Sequence, residues 1–289
     1  MQRHLIVTAD DFGLHQSVNE AVEQASRGGI LTAASLMVAG PAAADAVRRA
    51  RRLPNLRVGL HVVLADGLAS LPHQQIPSIA DTDGRMGEDM FFRGVRYFAS
   101  ASARRQLEAE IRAQFQAFAR TGLPLDHINA HKHFHLHPTI LGILIRAARE
   151  FGARAMRVPD EPFWYAARSG HWDAAAGMLL MPWLMLMKHR LRAAGIFHND
   201  SVFGIAGSGS MDEEQLLAIL ARLPRGVTEI YLHPATASGA AVAPSMGAYR
   251  HADELAGLLS ARVREAVTAL NVRRGGYGDI MRSIGRSLA

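Results

Sequence analysis

The chain has 289 residues, of which 49% are hydrophobic and 20% charged. This composition is ordinary for a globular protein and excludes intrinsic disorder and collagen-like structure. The absence of cysteine excludes a disulfide scaffold, a thiolate nucleophile and a Cys-ligated zinc site, so any metal must be held by His, Asp or Glu. A formal charge of +6 points to an anionic partner, which could be nucleic acid, a phosphorylated substrate or an acidic membrane surface.

Aliphatic runs alternate with helical patterns along the whole chain, which predicts an α/β fold around a mostly parallel sheet. No repeat or linker divides residues 1–289, so we expect a single domain. The Ser210-x-x-Glu213 pattern predicts a capping box for one of the helices. The predicted strands are 4–9, 30–38, 56–64, 126–130, 154–158 and 227–232, and the predicted helices are 18–27, 42–52, 104–120, 139–151, 211–223 and 252–270.

The beginning of the chain does not resemble a signal peptide. Its apolar run, 5–9, is short and is followed at once by Asp10 and Asp11, whereas a secretory signal needs a longer apolar region. We therefore expect a cytoplasmic protein.

Two segments depart from the alternating pattern. Residues 66–102 are rich in Gly, Pro and Asp and predict a long excursion that includes a lid over a site. An apolar helical insertion lies near 171–193. Its fourteen uncharged residues, 174–187, are too few for a transmembrane helix, which needs ~20. The insertion is either a buried core helix or an interfacial patch, with Trp183 at a headgroup boundary, Leu184 and Met187 in lipid, and the basic residues 188–192 on anionic lipid.

Four predicted strands end in a residue that can titrate or bind metal. These residues are the Asp10-Asp11 pair, His61, His131 and His233. Each has an ordinary explanation by itself, because Asp pairs cap helices and single His residues occur in cores. The carboxyl ends of parallel strands, however, meet at one edge of a sheet. The coincidence of four such ends therefore predicts one shared site.

The segment 131–137 carries four His residues at alternate positions. In an extended chain these imidazoles would share one face. Positions two apart lie roughly 6–7 Å from each other, so all four cannot bind the same ion. We expect one or two to bind metal and the others to contact substrate or orient ligands. The alternative is a polar strand edge without ligand function.

One Asp with two His residues leaves coordination positions open, which is typical of a catalytic rather than a structural metal site. A divalent ion there can lower the pKa of a bound water towards ~7. A carboxylate that is not a ligand can then accept the proton of the water, and Asp10 suits that role. Departure of an amine requires a proton donor, for which His233 is the candidate.

The residues Thr8 to Gly13 (TADDFG), Gly59-Leu60-His61, the His run and His233-Pro234 together resemble the YdjC-like carbohydrate deacetylases. The resemblance implies a single-domain deformed (β/α) barrel that removes N-acetyl groups from amino sugars. It implies one divalent cation, Mg²⁺ or Zn²⁺, with Asp11, His61 and His131 as metal ligands, Asp10 as general base and His233 as general acid. The remaining candidates, for substrate binding, are His133, His135 and Arg157.

Two positions depart from the pattern of that family, since Asn129 and Ala235 replace an Asp and a Gly. Residues 129–135 and the basic, Met-rich middle are similar to the hopanoid-biosynthesis branch. That similarity implies an N-acetylglucosaminyl bacteriohopanetetrol substrate and peripheral association with the inner face of the membrane. Three alternatives remain open, namely a deacetylase of soluble chitooligosaccharides, a metal-dependent phosphoesterase, and a non-enzymatic nucleic-acid-binding or metal-storage protein. The scattered Arg pairs, without interleaved aromatic residues, argue against nucleic acid.

Overall fold

A curled parallel sheet surrounded by helices organises the fold, as a computed structural model of residues 2–167, 174–237 and 239–287 describes it. The strands run in the order β6-β3-β2-β1-β8-β7, with β9 beside the start of β1. The strands are β1 (Arg3–Phe12), β2 (Ala33–Leu36), β3 (Arg57–Val62), β4 (Gly67–Leu68), β5 (Arg85–Met86), β6 (Leu125–Ala130), β7 (Ser201–Phe203), β8 (Gly226–Leu232) and β9 (Arg273–Arg274).

Most of the helices pack on the outer face of this sheet, and α12 packs at its inner face. They are α1 (Gln16–Gly28), α2 (Ala43–Ala50), α3 (Met90–Ala99), α4 (Ala101–Arg120), α5 (Pro138–Phe151), α6 (Phe163–Ala166), α7 (Ala174–Ala193), α8 (Glu213–Ala221), α9 (Gly239–Val242), α10 (His251–Leu259), α11 (Ala261–Ala269) and α12 (Tyr277–Ser287). Isolated bridges from Ile128 to Met156 and from Ala155 to Phe197 link the two edges of the sheet. The predicted α/β class is confirmed, and the sheet forms an incomplete, deformed barrel.

Strand β1 shows how the two faces of the sheet differ. Leu5, Val7 and Ala9 pack into the large core under the helices. Ile6 points to the opposite face, where it packs with Tyr277 of α12 and other buried residues. Because side chains alternate along a strand, the polar Thr8 follows Ile6 along this inner face. The interior of the barrel is therefore apolar at the amino ends of the strands and polar towards their carboxyl ends.

Two predicted helices have different boundaries in the structure. Helix α8 begins at Glu213, and its N-cap is Asp212, whose carboxylate accepts a hydrogen bond from the Gln215 amide. The capping box with Ser210 is therefore wrong, because Ser210 donates to the Gly207 carbonyl instead. The predicted helix 252–270 is divided at Ser260, which caps α11.

The segment 66–102 contains the β4–β5 hairpin, the whole of α3 and the first two residues of α4. The buried Glu110 carboxylate of α4 holds the segment by accepting the backbone amides of Ser70 and Leu71 at 2.7 and 2.9 Å. Gln114, one turn further along α4, binds both the amide and the carbonyl of Val63. Side chains of α4 thus hold the excursion, and the residue Val63 shortly before it, by hydrogen bonds to their backbone groups.

Helix α7 contains the described part of the predicted insertion 171–193, whose first three residues lie outside the described ranges. Leu184 is 4% exposed and Met187 is 0% exposed, whereas Met185 is 64% exposed. The indole N–H of Trp183 donates to the Leu136 carbonyl at 2.8 Å. Leu184 and Met187 therefore belong to the core, and their assignment to a lipid-facing patch is wrong. Among the described helices, none has the length and apolar character needed to span a bilayer.

Candidate active site

Four strand ends bring their functional side chains together at one mouth of the barrel. Oδ1 of Asp11 lies 3.2 Å from His61 Nε2 and 3.1 Å from His131 Nδ1. Oδ2 of Asp11 lies 4.0 Å from Nε2 of His233. The structure thus places all four predicted strand ends around a single buried carboxylate.

A break in strand β1 allows two consecutive carboxylates to face this mouth. Asp11 has a positive φ of 62°, and the register of β1 against β2 shifts between Ala9 and Phe12. In a regular strand the side chains of Asp10 and Asp11 would point to opposite faces. The left-handed backbone at Asp11 is uncommon for a residue other than Gly. This local conformation places both side chains of the pair in the interior.

The side chains of Asp11, His61 and His131 fit a divalent cation. One potential ligand atom from each lies within 4.8 Å of the others. Both Asp11 carboxylate oxygens are buried, and in the described structure neither makes a hydrogen bond of good geometry with the imidazoles around it; a buried carboxylate that is incompletely satisfied in this way is costly. A cation held by the three groups would remove that cost.

Asn129 fixes the orientation and the proton position of His61. Its amide N–H₂ donates to Asp10 Oδ1 and Ser35 Oγ at 3.0 and 2.9 Å, so its Oδ1 faces His61 Nδ1 at 2.7 Å. An amide oxygen can only accept, and Nδ1 must therefore carry the proton. The lone pair of Nε2 is then directed at Asp11, as a metal ligand requires. The Asn that departs from the expected Asp performs this orienting role.

His131 faces Asp11 through Nδ1, and its other ring nitrogen lies 3.9 Å from Asp66 Oδ2. Asp66 forms an ion pair with Lys132 at 2.5 Å. Although burial alone lowers the pKa of His131, the Asp11 carboxylate raises it to about 9. A proton therefore occupies this imidazole in the metal-free protein. Sequence reasoning missed Asp66, which belongs to the excursion and precedes His131 by many residues.

Asp10 is held by a buried guanidinium. Arg157 Nη1 and Nη2 lie 2.5 and 3.1 Å from the two Asp10 oxygens, and Arg157 is fully buried. Burial alone raises the pKa of Asp10, but Arg157 outweighs it and holds the pKa well below its usual range. Asp10 is therefore ionised, it has a fixed orientation, and it lines the cavity of the site.

A second carboxylate, Glu229, neutralises Arg157 from the other side. Arg157 Nε and Nη2 donate to its two oxygens, both at 2.8 Å. Thr8 and Tyr277 hydroxyls donate to Glu229 as well, each at 2.6 Å. Sequence reasoning missed Glu229 as well, although a charged residue inside the otherwise apolar strand β8 was a signal that could have indicated it. We name the set Asp10, Arg157, Glu229, Thr8 and Tyr277 the buried charge network.

Three predicted substrate contacts occupy different environments. Arg157 and His135 are both 0% exposed, and His135 Nε2 faces the Arg157 carbonyl at 3.1 Å. Neither lines the described cavity, and both make their hydrogen bonds within the protein, so substrate contact by these two residues stays a prediction. His133 does line the cavity, and its Nε2 lies 2.8 Å from the Tyr231 hydroxyl.

The expected row of parallel imidazoles does not form. Residues His131–Leu136 are a 3₁₀ segment in which Lys132 and His133 have positive φ values of 53° and 54°. The chain therefore turns at each step, and the imidazoles of His131, His133 and His135 point to Asp11, Tyr231 and Arg157. A strand-like interpretation of this segment is wrong.

His233 lies on the opposite side of the site, and its side chain is 11% exposed. Its backbone amide donates to the buried Glu254 carboxylate at 2.5 Å, and its ring lies 5.2 Å from that of Tyr249. Burial lowers the pKa of His233, partly offset by Asp11 and Asp10. The cavity between these groups measures about 70 Å³, and it is lined by Asp10, His61, Ala130, His131, Lys132, His133, Ser208, Tyr231, His233, Ser245, Met246 and Tyr249.

The chain is similar to several known proteins. A crystal structure from Enterococcus faecalis V583, provisionally described as a cellobiose-phosphate cleavage protein, superposes with a TM-score of 0.76 at 21% identity, covering 97% of this chain and 99% of that one. This likeness shows the fold. A carbohydrate deacetylase of Brevibacillus brevis is 41% identical over 160 residues, which are 55% of this chain and 59% of that enzyme. The chain thus matches less than two thirds of the length of that relative.

Longer matches exist as well. A carbohydrate deacetylase of Geobacillus stearothermophilus is 31% identical over 240 residues, covering 81% of this chain and 80% of that protein. A chitooligosaccharide deacetylase of Klebsiella pneumoniae is 30% identical over 281 residues, covering 97% and 100%. Residues 4–269 match the family described as YdjC-like protein. The expected resemblance to this family is therefore confirmed, and the chain belongs to the YdjC-like protein family.

Proposed function

We propose that this protein is a metal-dependent hydrolase that removes acetate from an N-acetylglucosamine unit. The observation that carries the proposal is the buried Asp11, His61 and His131 set beside an ionised Asp10 and a mostly buried His233. The deacetylases among its relatives support the reaction class. The cavity of about 70 Å³ suits an acetamido group, with the sugar ring outside it.

Asp11, His61 and His131 would hold one divalent cation. When bound, that cation supplies a Lewis acid that lowers the pKa of water and polarises the acetamide carbonyl. Asp10 accepts the proton of the attacking water, because it is ionised and lines the cavity. Arg157 and Asn129 keep its carboxylate in one orientation, which a general base needs for efficient proton transfer.

His233 supplies the proton that the leaving amine requires when the C–N bond breaks. Its ring lies across Asp11 from the two ligand imidazoles, so acid and base approach the substrate from different sides. Tyr249 packs beside it and narrows the mouth. General acid or base catalysis by such a group typically contributes ~10²–10⁴-fold.

The acceptor in this proposal is lipid-linked, namely N-acetylglucosaminyl bacteriohopanetetrol. The support is the similarity of residues 129–135 to the hopanoid-biosynthesis branch, together with the positive net charge, which suits peripheral association with the inner face of an anionic membrane. The second candidate is a soluble chitooligosaccharide. The Klebsiella pneumoniae relative, which matches along its whole length, favours this second candidate.

The deciding experiment measures acetate released from the lipid-linked sugar and from chitobiose, with and without a chelator. We expect release to stop with the chelator and to return when Mg²⁺ or Zn²⁺ is added, and the ion that restores it identifies the cofactor. Release of phosphate from a phosphate ester, without release of acetate, would establish the phosphoesterase alternative.

Two variants test the assigned roles. Asp10→Asn is nearly isosteric but cannot accept a proton, so we expect it to keep bound metal and to lose about 10²–10⁴-fold in kcat. His233→Ala should lose a similar factor on the amide and much less on an activated ester, whose leaving group needs no proton. Equal impairment on both substrates would remove His233 from the role of general acid.

A further inference from the structure

Helix α3 turns an apolar face towards solvent. Phe91, Phe92, Val95 and Phe98 are 73%, 70%, 52% and 68% exposed. Phe91, Val95 and Phe98 follow the spacing i, i+4, i+7 and therefore form one stripe, with Phe92 beside it. A single exposed hydrophobic residue needs no explanation, but a contiguous patch of this kind marks an interaction surface. We call these four residues the α3 patch.

The opposite face anchors α3 to the rim of the active site. Tyr97 is buried and donates its hydroxyl to the Leu64 carbonyl at 3.1 Å. Its ring lies 5.7 Å from that of Phe134, which belongs to the same 3₁₀ segment as His131. The α3 patch is therefore the outer surface of a helix whose inner surface contacts the segment that carries a candidate metal ligand.

Charge around the patch favours an anionic partner. Helix α3 contains Arg93 and Arg96 and no acidic residue, and the exposed Arg105 follows at the start of α4. Arg96 is exposed one helical turn after Phe92, so a cation and an aromatic ring stand side by side. The nearest preceding acids are Glu88 and Asp89, and the Asp89 carboxylate caps the helix by accepting the Phe92 amide. Apolar side chains bordered by arginines are typical of helices that lie on anionic bilayers.

The size of the patch argues against a stable complex with a second copy of this chain. The exposed fractions of four side chains amount to roughly 500 Å². A standard protein interface buries about 800 Å² on each partner. A bilayer has no such minimum area, because a few aromatic side chains can insert individually at the headgroup boundary.

We propose that the α3 patch inserts into the surface of an anionic lipid bilayer and places the mouth of the site at the membrane. The proposal deepens the proposed function and rests on it for the lipid-linked substrate. Binding to the bilayer by itself requires neither metal nor acetyl group. The two ideas can therefore fail separately.

The test is sedimentation of the purified full-length protein with vesicles of phosphatidylglycerol and phosphatidylcholine in equal parts. We expect binding that weakens as ionic strength rises and is much weaker with phosphatidylcholine alone. The triple variant Phe91→Ser, Phe92→Ser, Phe98→Ser should lose about tenfold or more in partition coefficient. Because these side chains are exposed, the variant should keep its thermal stability and its turnover of chitobiose.

A pair of matched charge variants separates a local effect from net charge. Arg96→Glu with Arg105→Glu should weaken vesicle binding. Arg120→Glu with Arg149→Glu changes the net charge equally, at exposed positions at the carboxyl ends of α4 and α5, and should bind more tightly than the first pair. Equal weakening by both pairs would contradict a role for the α3 patch.

Three other results would overturn the proposal. The first is a wild-type protein that does not sediment with the anionic vesicles, and the second is a triple variant that sediments as well as the wild type. The third is light scattering that shows a dimer for the wild type and a monomer for the triple variant. The last result would identify a second copy as the occupant. Loss of deacetylation with intact vesicle binding would instead refute the proposed function and leave the α3 patch in place.

Discussion

Removal of one hydroxyl group, by Tyr277→Phe, tests whether the buried charge network supports the Asp10 carboxylate, which we propose as the general base. Tyr277 belongs to α12, beyond the residues that match the family. Its hydroxyl donates to Glu229 Oε2 at 2.6 Å. Burial and the Glu229 charge raise the pKa of Tyr277 well above its usual value, so the phenol remains protonated. The ring stacks on His127 at 5.0 Å, and a phenylalanine can preserve that contact.

The expected magnitude follows from the charge of the acceptor. A hydrogen bond to a charged group contributes about 1.5–3 kcal/mol, which corresponds to a factor of roughly 10–150 in the folding equilibrium. Glu229 keeps its contacts with Thr8 and Arg157, so the fold should survive. Because Arg157 also holds Asp10, a small displacement of the network should reach this proposed general base. We therefore expect a lower kcat, with metal affinity and KM nearly unchanged.

The assays are urea unfolding, metal titration and steady-state kinetics on Tyr277→Phe, Glu229→Gln and the double variant. In the double variant the charged acceptor is already absent, so loss of the hydroxyl should cost at least about 1 kcal/mol less than in the wild-type background. The matched control is Tyr165→Phe, whose hydroxyl contacts Met211 and Gln215 rather than a carboxylate of the network. Additive free energies in the double variant, or a wild-type kcat in Tyr277→Phe, would refute the reasoning.

Three further predictions concern metal, pH and the core. Substitution of Asp11, His61 or His131, the proposed ligands, by Ala should abolish tight metal binding and activity together while the fold persists; metal retention with normal turnover would remove that residue from the proposed ligand set. Burial lowers the pKa of His135 from 6.5 to about 3, so its contribution to stability is present above pH 6.5 and is lost as the pH falls towards 3. Urea unfolding at several pH values should show that the free energy of unfolding of His135→Gln depends less steeply on pH in this window than that of the wild type, and its KM at neutral pH should be unchanged. An equally steep pH dependence or a raised KM would contradict a structural role for His135. Leu184→Glu should destabilise the fold by about 3 kcal/mol or more in thermal or urea unfolding. Met185→Glu, on the exposed face of α7, should change the stability by no more than ~0.5 kcal/mol. Equal effects of the two substitutions would contradict the burial of Leu184 described above.

Local pattern alone was sufficient to predict which strand ends meet at the candidate site. Each of Asp10, His61, His131 and His233 follows or ends an apolar run, and parallel strands align their carboxyl ends whatever their order in the sheet. The α/β class follows from the same alternation of short and long periodic segments. These features depend on residues that are neighbours in the sequence, and for that reason the sequence alone predicts them.

The partners of those side chains depend on the tertiary structure. Arg157 is 147 residues from Asp10 and 72 from Glu229, so its position between these two carboxylates depends on the order of the strands in the sheet. The faces of α7 were ambiguous for a related reason, because Leu184, Met185 and Met187 are all apolar and only packing decides which of them is buried. The left-handed residues of the His run have no glycine to signal them.

The physical reason for this division is the range of the interactions involved. Hydrophobic periodicity and strand termini arise from the local backbone, which the sequence encodes residue by residue. The ionised Asp10, the oriented His61 and the exposed face of α3 instead result from contacts between segments that are distant in the chain. Those contacts exist only after the sheet has curled and brought its strand ends together.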